Sequence, residues 1–263
     1  MRRGLETVAT VGAMLVLASS VLADGMPEDE RPPPRKRTAA TTNAEPAVEA
    51  QPETTPEPKP APPRFRYAAM TRDECEAELT TRGITFQRET AKGVLAPVRL
   101  TGRLHGVKFR TNGSKDSDEG TIWDIADCRL VLSLDDFSEV LAAHDIVEVR
   151  HYSMYRRAPK RWPDDKIGTR HNGGLALDAA TFIKSDGSKL DVLDDFKGKR
   201  YRKVCGKDAP KGKTEAAREL RELVCSALDI GMFSVILTPN FNRAHRNHFH
   251  LELTPGVKWL WLR

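Results

Sequence analysis

The sequence predicts an α+β fold in which helices flank a mainly antiparallel central sheet. Three observations carry that reading: two segments with capped helical spacing, several short apolar runs linked too tightly for parallel crossovers, and an abrupt change of composition near residue 64. Residues 65–263 form the expected folded domain, long enough for a substantial apolar core.

The chain of 263 residues opens on Arg2 and Arg3, an apolar run from Val8 to Leu22, and the small-residue site Val21-Leu22-Ala23. This is the pattern of a cleaved secretory signal over residues 1–23, with Asp24 as the new N-terminus. No later segment is apolar enough to span a bilayer, so no stable membrane span is expected after cleavage. Residues 24–64 read as a disordered linker. Of the 17 prolines, 11 lie between Pro27 and Pro63, and large apolar residues are almost absent before Phe65. Such a segment cannot bury enough surface to offset its ordering entropy, and its prolines keep it extended.

Thr71-Arg72-Asp73-Glu74 is a capping box, which places a helix from Thr71 to near Gly83. Strands are expected at Ile84–Phe86, Val98–Thr101 and Cys128–Leu132, then a helix capped by Ser133 and ending near His144, then a strand at Ile146–Ser153. Thr214 caps a second helix, whose apolar positions Ala216, Ala217, Leu220, Leu223, Val224, Ala227 and Leu228 follow helical spacing until Gly231. Phe233–Leu237 and His248–Leu253 read as strands, and Trp259 and Trp261 suggest a packed terminal strand.

The net charge is +5; the expected signal carries +1 of it, which leaves +4 on the mature chain. That mild, dispersed excess suits an acidic polymer such as a cell wall and is too weak for a nucleic-acid partner. The Lys-rich stretch Lys197–Lys213 reads as a solvated loop that could also contact an anionic wall polymer. Four cysteines, none in a C-x-x-C arrangement, point to two disulfides in an oxidising compartment. The expected pairing is Cys75–Cys128 with Cys205–Cys225, one of three that four cysteines allow.

Four of the seven histidines fall in two short segments, Thr169–Asp178 and His245–His250. On a strand, His248, His250 and Glu252 share one face, while Phe249, Leu251 and Leu253 share the other and enter the core. One of the two imidazoles could then bind a metal while the other works on its bound water. His171 and Asp178 add a neutral nitrogen and a carboxylate suited to zinc, with Gly173 and Gly174 allowing a sharp turn between them. His, Asp and His make three protein ligands and leave a fourth position open, the catalytic rather than the structural number.

Thr169–Asp178 resembles the S-x-H-x-x-G-x-A-x-D motif of zinc D-Ala-D-Ala peptidases. Asn240–Leu253, read N-F-N-R-A-H-R-N-H-F-H-L-E-L, resembles still more closely the end of the bacterial extensin-like C-terminal domain family, which is similar to those peptidases. The resemblance covers roughly Thr71 to Leu253. It implies the Hedgehog/DD-peptidase fold, one zinc ion per chain held by His171, Asp178 and His250, and His248 as general base. It also implies an orienting role for His245 and a substrate-carboxylate or oxyanion role for Arg156. The sequence departs from the pattern at Thr169, Arg170, Asn172 and Tyr155, which bears on substrate choice more than on metal binding. The expected protein is an exported monomer of the periplasm, the cell envelope or the extracellular space, a zinc-dependent hydrolase of peptidoglycan peptide bonds of the D,D-carboxypeptidase or endopeptidase type. The alternative is a non-catalytic wall-binding domain that keeps the peptidase fold. His105 and His144 lack partners at useful spacing; His151, in the strand before Arg156, could face the site but reads rather as a core or edge histidine; Glu252 could either orient a ligand or be solvated.

Overall fold

A computed structural model of the protein describes residues 61–112 and 120–263. The expected signal peptide, and the expected linker up to residue 60, lie outside the described residues. The expected linker–domain boundary at residues 64–65 falls inside the first helix, α1 (Pro63–Ala68), whose Tyr67 is fully buried. Arg64 fastens this helix by donating its main-chain N–H to the Gly231 carbonyl.

Helix α2 (Arg72–Thr81) starts at the capping box: the Glu74 N–H donates to Thr71 Oγ1 and the Thr71 N–H to the Glu74 carboxylate. Strands β1 (Phe86–Arg88), β2 (Pro97–Leu100) and β4 (Ile125–Asp127) form a small antiparallel sheet. Between β2 and β4 in sequence, β3 (Lys108–Thr111) leaves for a second, larger sheet.

Helix α3 (Cys128–Ala143) corrects the reading of its segment. Cys128–Leu132 is its first turn and more, not a strand, and the cap is Asp127, which accepts the Arg129 N–H, rather than Ser133. The cause is burial on every side. Residues 128–134 are all buried, with α1, α2, the later helix Glu215–Ile230 and the strand Ile146–His151 packed around the helix, so the segment shows no polar face and no period to read.

The larger sheet contains β3, β5 (Ile146–His151), β6 (Ala176–Lys184), β7 (Lys189–Asp191), β8 (Val235–Leu237), β9 (Phe249–Glu252) and β10 (Trp261–Leu262). Its order is β10-β8-β9-β6-β5-β3, with β7 pairing the far half of β6. Four of its pairings are antiparallel, but β3–β5 and β10–β8 are parallel, so the sheet is mixed rather than simply antiparallel. The crossover that permits β3–β5 is α3 itself, the helix partly disguised as a strand in the sequence. The last strand, β10, is the terminal one suggested by Trp261.

Helices α4 (Val192–Asp195) and α5 (Glu215–Ile230) complete the described elements. Thr214 caps α5 by accepting the Ala217 N–H, and Gly231 ends it in the left-handed conformation. The core lies between α3, α5 and one face of the sheet, where Phe182 and Phe196 pack on Phe249, and Phe137 meets Phe233 edge-on. Cys75–Cys128 ties α2 to the start of α3, and Cys205–Cys225 ties a loop to α5. Both are the expected pairs, and they fit an oxidising, extracytoplasmic setting. Among the described residues no helix is long and apolar enough to cross a membrane.

Candidate metal centre

Strand β6 explains how a carboxylate can be placed on the polar face of a sheet whose other face is core. Along β6, Leu177 and Ala179 enter the core, and so does Phe182, although strict alternation would send Phe182 the other way. The register shows why. Arg150 of β5 faces Thr181 and His151 faces Ala179, so Ala180 is an extra residue, a β-bulge. The bulge reverses the alternation and leaves Asp178 opposite the core side, directly across from His250 of β9. The alternation read for β9 holds: Phe249, Leu251 and Leu253 are in the core, and His248, His250 and Glu252 line a cleft on the other face.

His171 arrives from a 3₁₀ turn, Arg170–Gly173, that ends at Gly174. Gly174 has φ +64°, and a Cβ there would lie 2.7 Å from the Asp127 nitrogen, so only glycine suits the turn. The three side chains converge. His171 Nε2 lies 3.1 Å from Asp178 Oδ1, and His250 Nδ1 lies 3.0 Å from the same oxygen. The ligating atoms of His171, Asp178 and His250 all fall within 4.8 Å of one another, and all three residues are buried.

The outer faces of both rings favour one tautomer once a cation takes the place of protons on the inner side. His171 Nδ1 lies 3.2 Å from the Met154 carbonyl oxygen, an acceptor, so Nδ1 carries the proton. His250 Nε2 lies 3.0 Å from the Glu252 carboxylate, which likewise calls for the proton there. The inner nitrogens, His171 Nε2 and His250 Nδ1, then turn lone pairs toward an ionised oxygen. Three acceptors so close repel one another unless a cation sits among them. Tetrahedral zinc with bonds of about 2.0–2.2 Å would hold its ligands about 3.3–3.6 Å apart, near the two His–Asp separations of 3.1 and 3.0 Å, with the remaining pair within 4.8 Å. The donor set therefore fits zinc, and the two outer acceptors are the kind that orient metal-bound imidazoles.

The electrostatics agree with this arrangement. Burial alone would raise the Asp178 pKa, but the His171 and His250 rings against Oδ1 hold the carboxyl far below the usual range, so that oxygen faces positive charge, whether a proton or a metal ion. Burial pulls the His250 pKa down, but the Asp178 and Glu252 carboxylates outweigh it and raise the value. The site favours a positive charge at this ring, as a proton or as a metal ion.

His248 stands a step further out, its Nε2 3.4 Å from Asp178 Oδ1. Its Nδ1 is 3.0 Å from Asn247 Oδ1, and the Asn247 amide donates to the Tyr152 hydroxyl at 2.8 Å. That chain turns the Asn247 oxygen toward His248, so the His248 proton sits on Nδ1 and Nε2 faces the centre unprotonated. Burial pushes the His248 pKa down to about 4. His245 lines the same cleft, its ring 5.1 Å from that of His248, with Nδ1 2.8 Å from Asn242 Oδ1.

Arg156 is brought to the site as well, but not as a free anion receptor. Its guanidinium pairs with Asp178 Oδ2, its Nε donates to Ser153 Oγ at 2.9 Å, and its main-chain N–H donates to the His171 carbonyl. Half of the side chain remains exposed at the cleft. The altered neighbours have structural tasks: Arg170 lies 3.6 Å from the Glu252 carboxylate, and the Asn172 amide donates to the Arg156 carbonyl at 2.9 Å. Tyr155 is buried and donates its hydroxyl to the Lys92 carbonyl. His151 is a core residue 3.2 Å from Asp124, while His105 lies by Asp135 and His144 by Glu219. Met154, Ser153, Tyr152 and Asn247 escaped the sequence reading. Their contributions come from a main-chain carbonyl or from long-range pairing, neither of which leaves a spacing signal.

Fold and site together define a mixed α+β protein with a buried His-Asp-His group able to hold a metal ion at the floor of an open cleft of about 640 Å³. The family model of the extensin-like protein C-terminus matches residues 73–260, and the chain belongs to that family. No curated protein and no solved structure matches it.

Proposed function

We propose that the protein is a zinc-dependent hydrolase acting on peptide bonds of peptidoglycan in the cell envelope, with a D-Ala-D-Ala peptidase-like site. The observation that carries this reading is the convergence of three buried ligating atoms, with an acceptor behind each imidazole. His171 and His250 are each held by an outer acceptor so that their free nitrogens and Asp178 Oδ1 point to one place, and the cleft leaves that place open on one side.

When bound, zinc lowers the pKa of a water to about 7 and polarises a carbonyl oxygen. The chain's residues supply the rest. His171, Asp178 and His250 hold the ion. His248 Nε2, kept unprotonated by the Asn247–Tyr152 chain, accepts a proton from the attacking water and returns it to the leaving amine. Arg156 steadies Asp178 through one side of its guanidinium and offers the exposed side to a substrate carboxylate or to developing negative charge. His245, oriented by Asn242, borders the path of the substrate.

The test is digestion of isolated cell walls by the zinc-loaded protein, with products identified by mass spectrometry. Release of a terminal D-Ala or cleavage of a cross-link, lost in His248→Ala, supports the proposal. A protein that holds zinc and binds walls yet releases nothing would be a binding module, and the hydrolase reading would fall.

A further inference from the structure

A second cleft, of about 710 Å³, opens between the loop after α4 and the start of α5. Its walls carry six cations: Lys197, Lys199, Arg202, Lys211, Lys213 and Arg221. No carboxylate lines it. The nearest acid before the loop, Asp195, is engaged with the Asp191 N–H. Among the described residues none of the six forms an ion pair, whereas Lys203, just outside, is paired with Asp208.

The cleft is constructed rather than a chance meeting of surface lysines. Buried Asn240 fixes one wall: its Oδ1 accepts the Lys199 N–H at 2.7 Å, its Nδ2 donates to the Arg202 carbonyl at 2.9 Å, and its carbonyl accepts the Tyr201 N–H. The other wall is held by the Cys205–Cys225 disulfide and by Gly212, where a Cβ would come within 2.6 Å of the Ala217 carbonyl carbon. At the floor, the Arg221 guanidinium lies 4.4 Å over the Phe196 ring and donates to the Ala217 carbonyl at 2.7 Å. Arg221 is partly buried and has no carboxylate beside it; burial lowers its pKa. Like charges held this close, one of them partly desolvated, repel one another until an anion enters. The first turn of α5 adds the positive end of its dipole.

We infer that this cleft binds oxyanions repeated along a polymer chain, phosphates or carboxylates of an anionic envelope polymer. Its position suits that task. Asn240 lines the basic cleft, and the next two residues, Phe241 and Asn242, line the metal-binding cleft. A polymer gripped by its anionic groups would be held beside the centre. That consequence rests on the hydrolase reading, but the binding itself does not. A concave pocket with a partly buried arginine at its base fits a chain better than a flat lipid surface.

The experiment measures binding of polyphosphate and of polygalacturonate to the zinc-free full chain by calorimetry at fixed ionic strength. Zinc-free protein keeps the result separate from any hydrolysis. Lys199→Gln/Lys213→Gln, both exposed positions, should weaken binding by about tenfold, the scale of two lost charge-assisted contacts. Lys189→Gln/Lys258→Gln, exposed and outside the cleft, removes the same charge elsewhere and should change affinity less than twofold, about the limit set by unspecific screening-range attraction. Preference for one polymer assigns phosphate or carboxylate as the group recognised. Equal loss in both variants, no binding of either polymer, or binding only to vesicles of anionic lipid would overturn the proposal.

Discussion

Asp127 and Asp178 are both almost fully buried, yet their surroundings differ in kind. Asp127, in the small sheet, is met by donors throughout. Arg129 reaches both oxygens, at 2.7 and 3.0 Å, the Arg129 N–H caps at 3.1 Å, and the Ala96 N–H approaches at 3.3 Å. Asp178 has a permanent cation only on one side, where Arg156 meets Oδ2; its Oδ1 faces two imidazole nitrogens whose outer partners are acceptors as well. A buried charge that the protein satisfies by itself is a structural device. One that the protein surrounds with further acceptors is a place prepared for a cation.

Mutations can break or sharpen that contrast. The largest effect is expected on the Asp127 side. Arg129→Ala leaves a buried carboxylate without its cation and should cost about 3–5 kcal/mol in denaturant unfolding, with zinc stoichiometry unchanged in the folded protein. If zinc binding vanished with the arginine, the two aspartates would not be independent. Next comes the zinc-linked stability. At free zinc about 100-fold above Kd, the native protein should gain about 2.7 kcal/mol. Asp178→Asn should show no such gain, whereas Arg129→Ala should keep it; denaturation with and without chelator compares them.

A smaller effect is expected at the outer acceptor. Glu252→Gln removes the carboxylate that holds the His250 proton on Nε2, and should weaken zinc by about 10–100-fold without unfolding the sheet. Competition with a chromogenic chelator would measure it, and an unchanged affinity would remove Glu252 from the account. The smallest concerns a feature remote from both aspartates: Thr71→Ala at the α2 cap should cost about 1 kcal/mol and leave zinc affinity as it was.

Much of this was legible in the sequence because it is local. The capping box at Thr71, the Thr214–Gly231 helix and the face shared by His248, His250 and Glu252 are short-range patterns, and each stands where the spacing puts it. What was not legible depends on the rest of the molecule. The run after Asp127 hides its helical period because its neighbours bury it on all sides, and as a helix it supplies the crossover for the parallel β3–β5 pair. Strand β6, which carries Asp178, was invisible because the bulge at Ala180 breaks its alternation halfway. The triad could be proposed from residue types, but the reason that its lone pairs converge lies in Met154 O and Glu252, which only the fold brings there.

On the proposed reading His171, Asp178 and His250 together hold one metal ion, with His248 beside it rather than on it. The direct measurement is zinc content by plasma emission, after equilibration with zinc and removal of excess, for the native protein and four alanine variants. One zinc per chain is expected in the native protein and in His248→Ala, and none in His171→Ala, Asp178→Ala or His250→Ala, because two donors are too few to retain the ion. Zinc retained by His250→Ala and lost by His248→Ala would reverse the two roles, and zinc unchanged in all four would contradict the site itself.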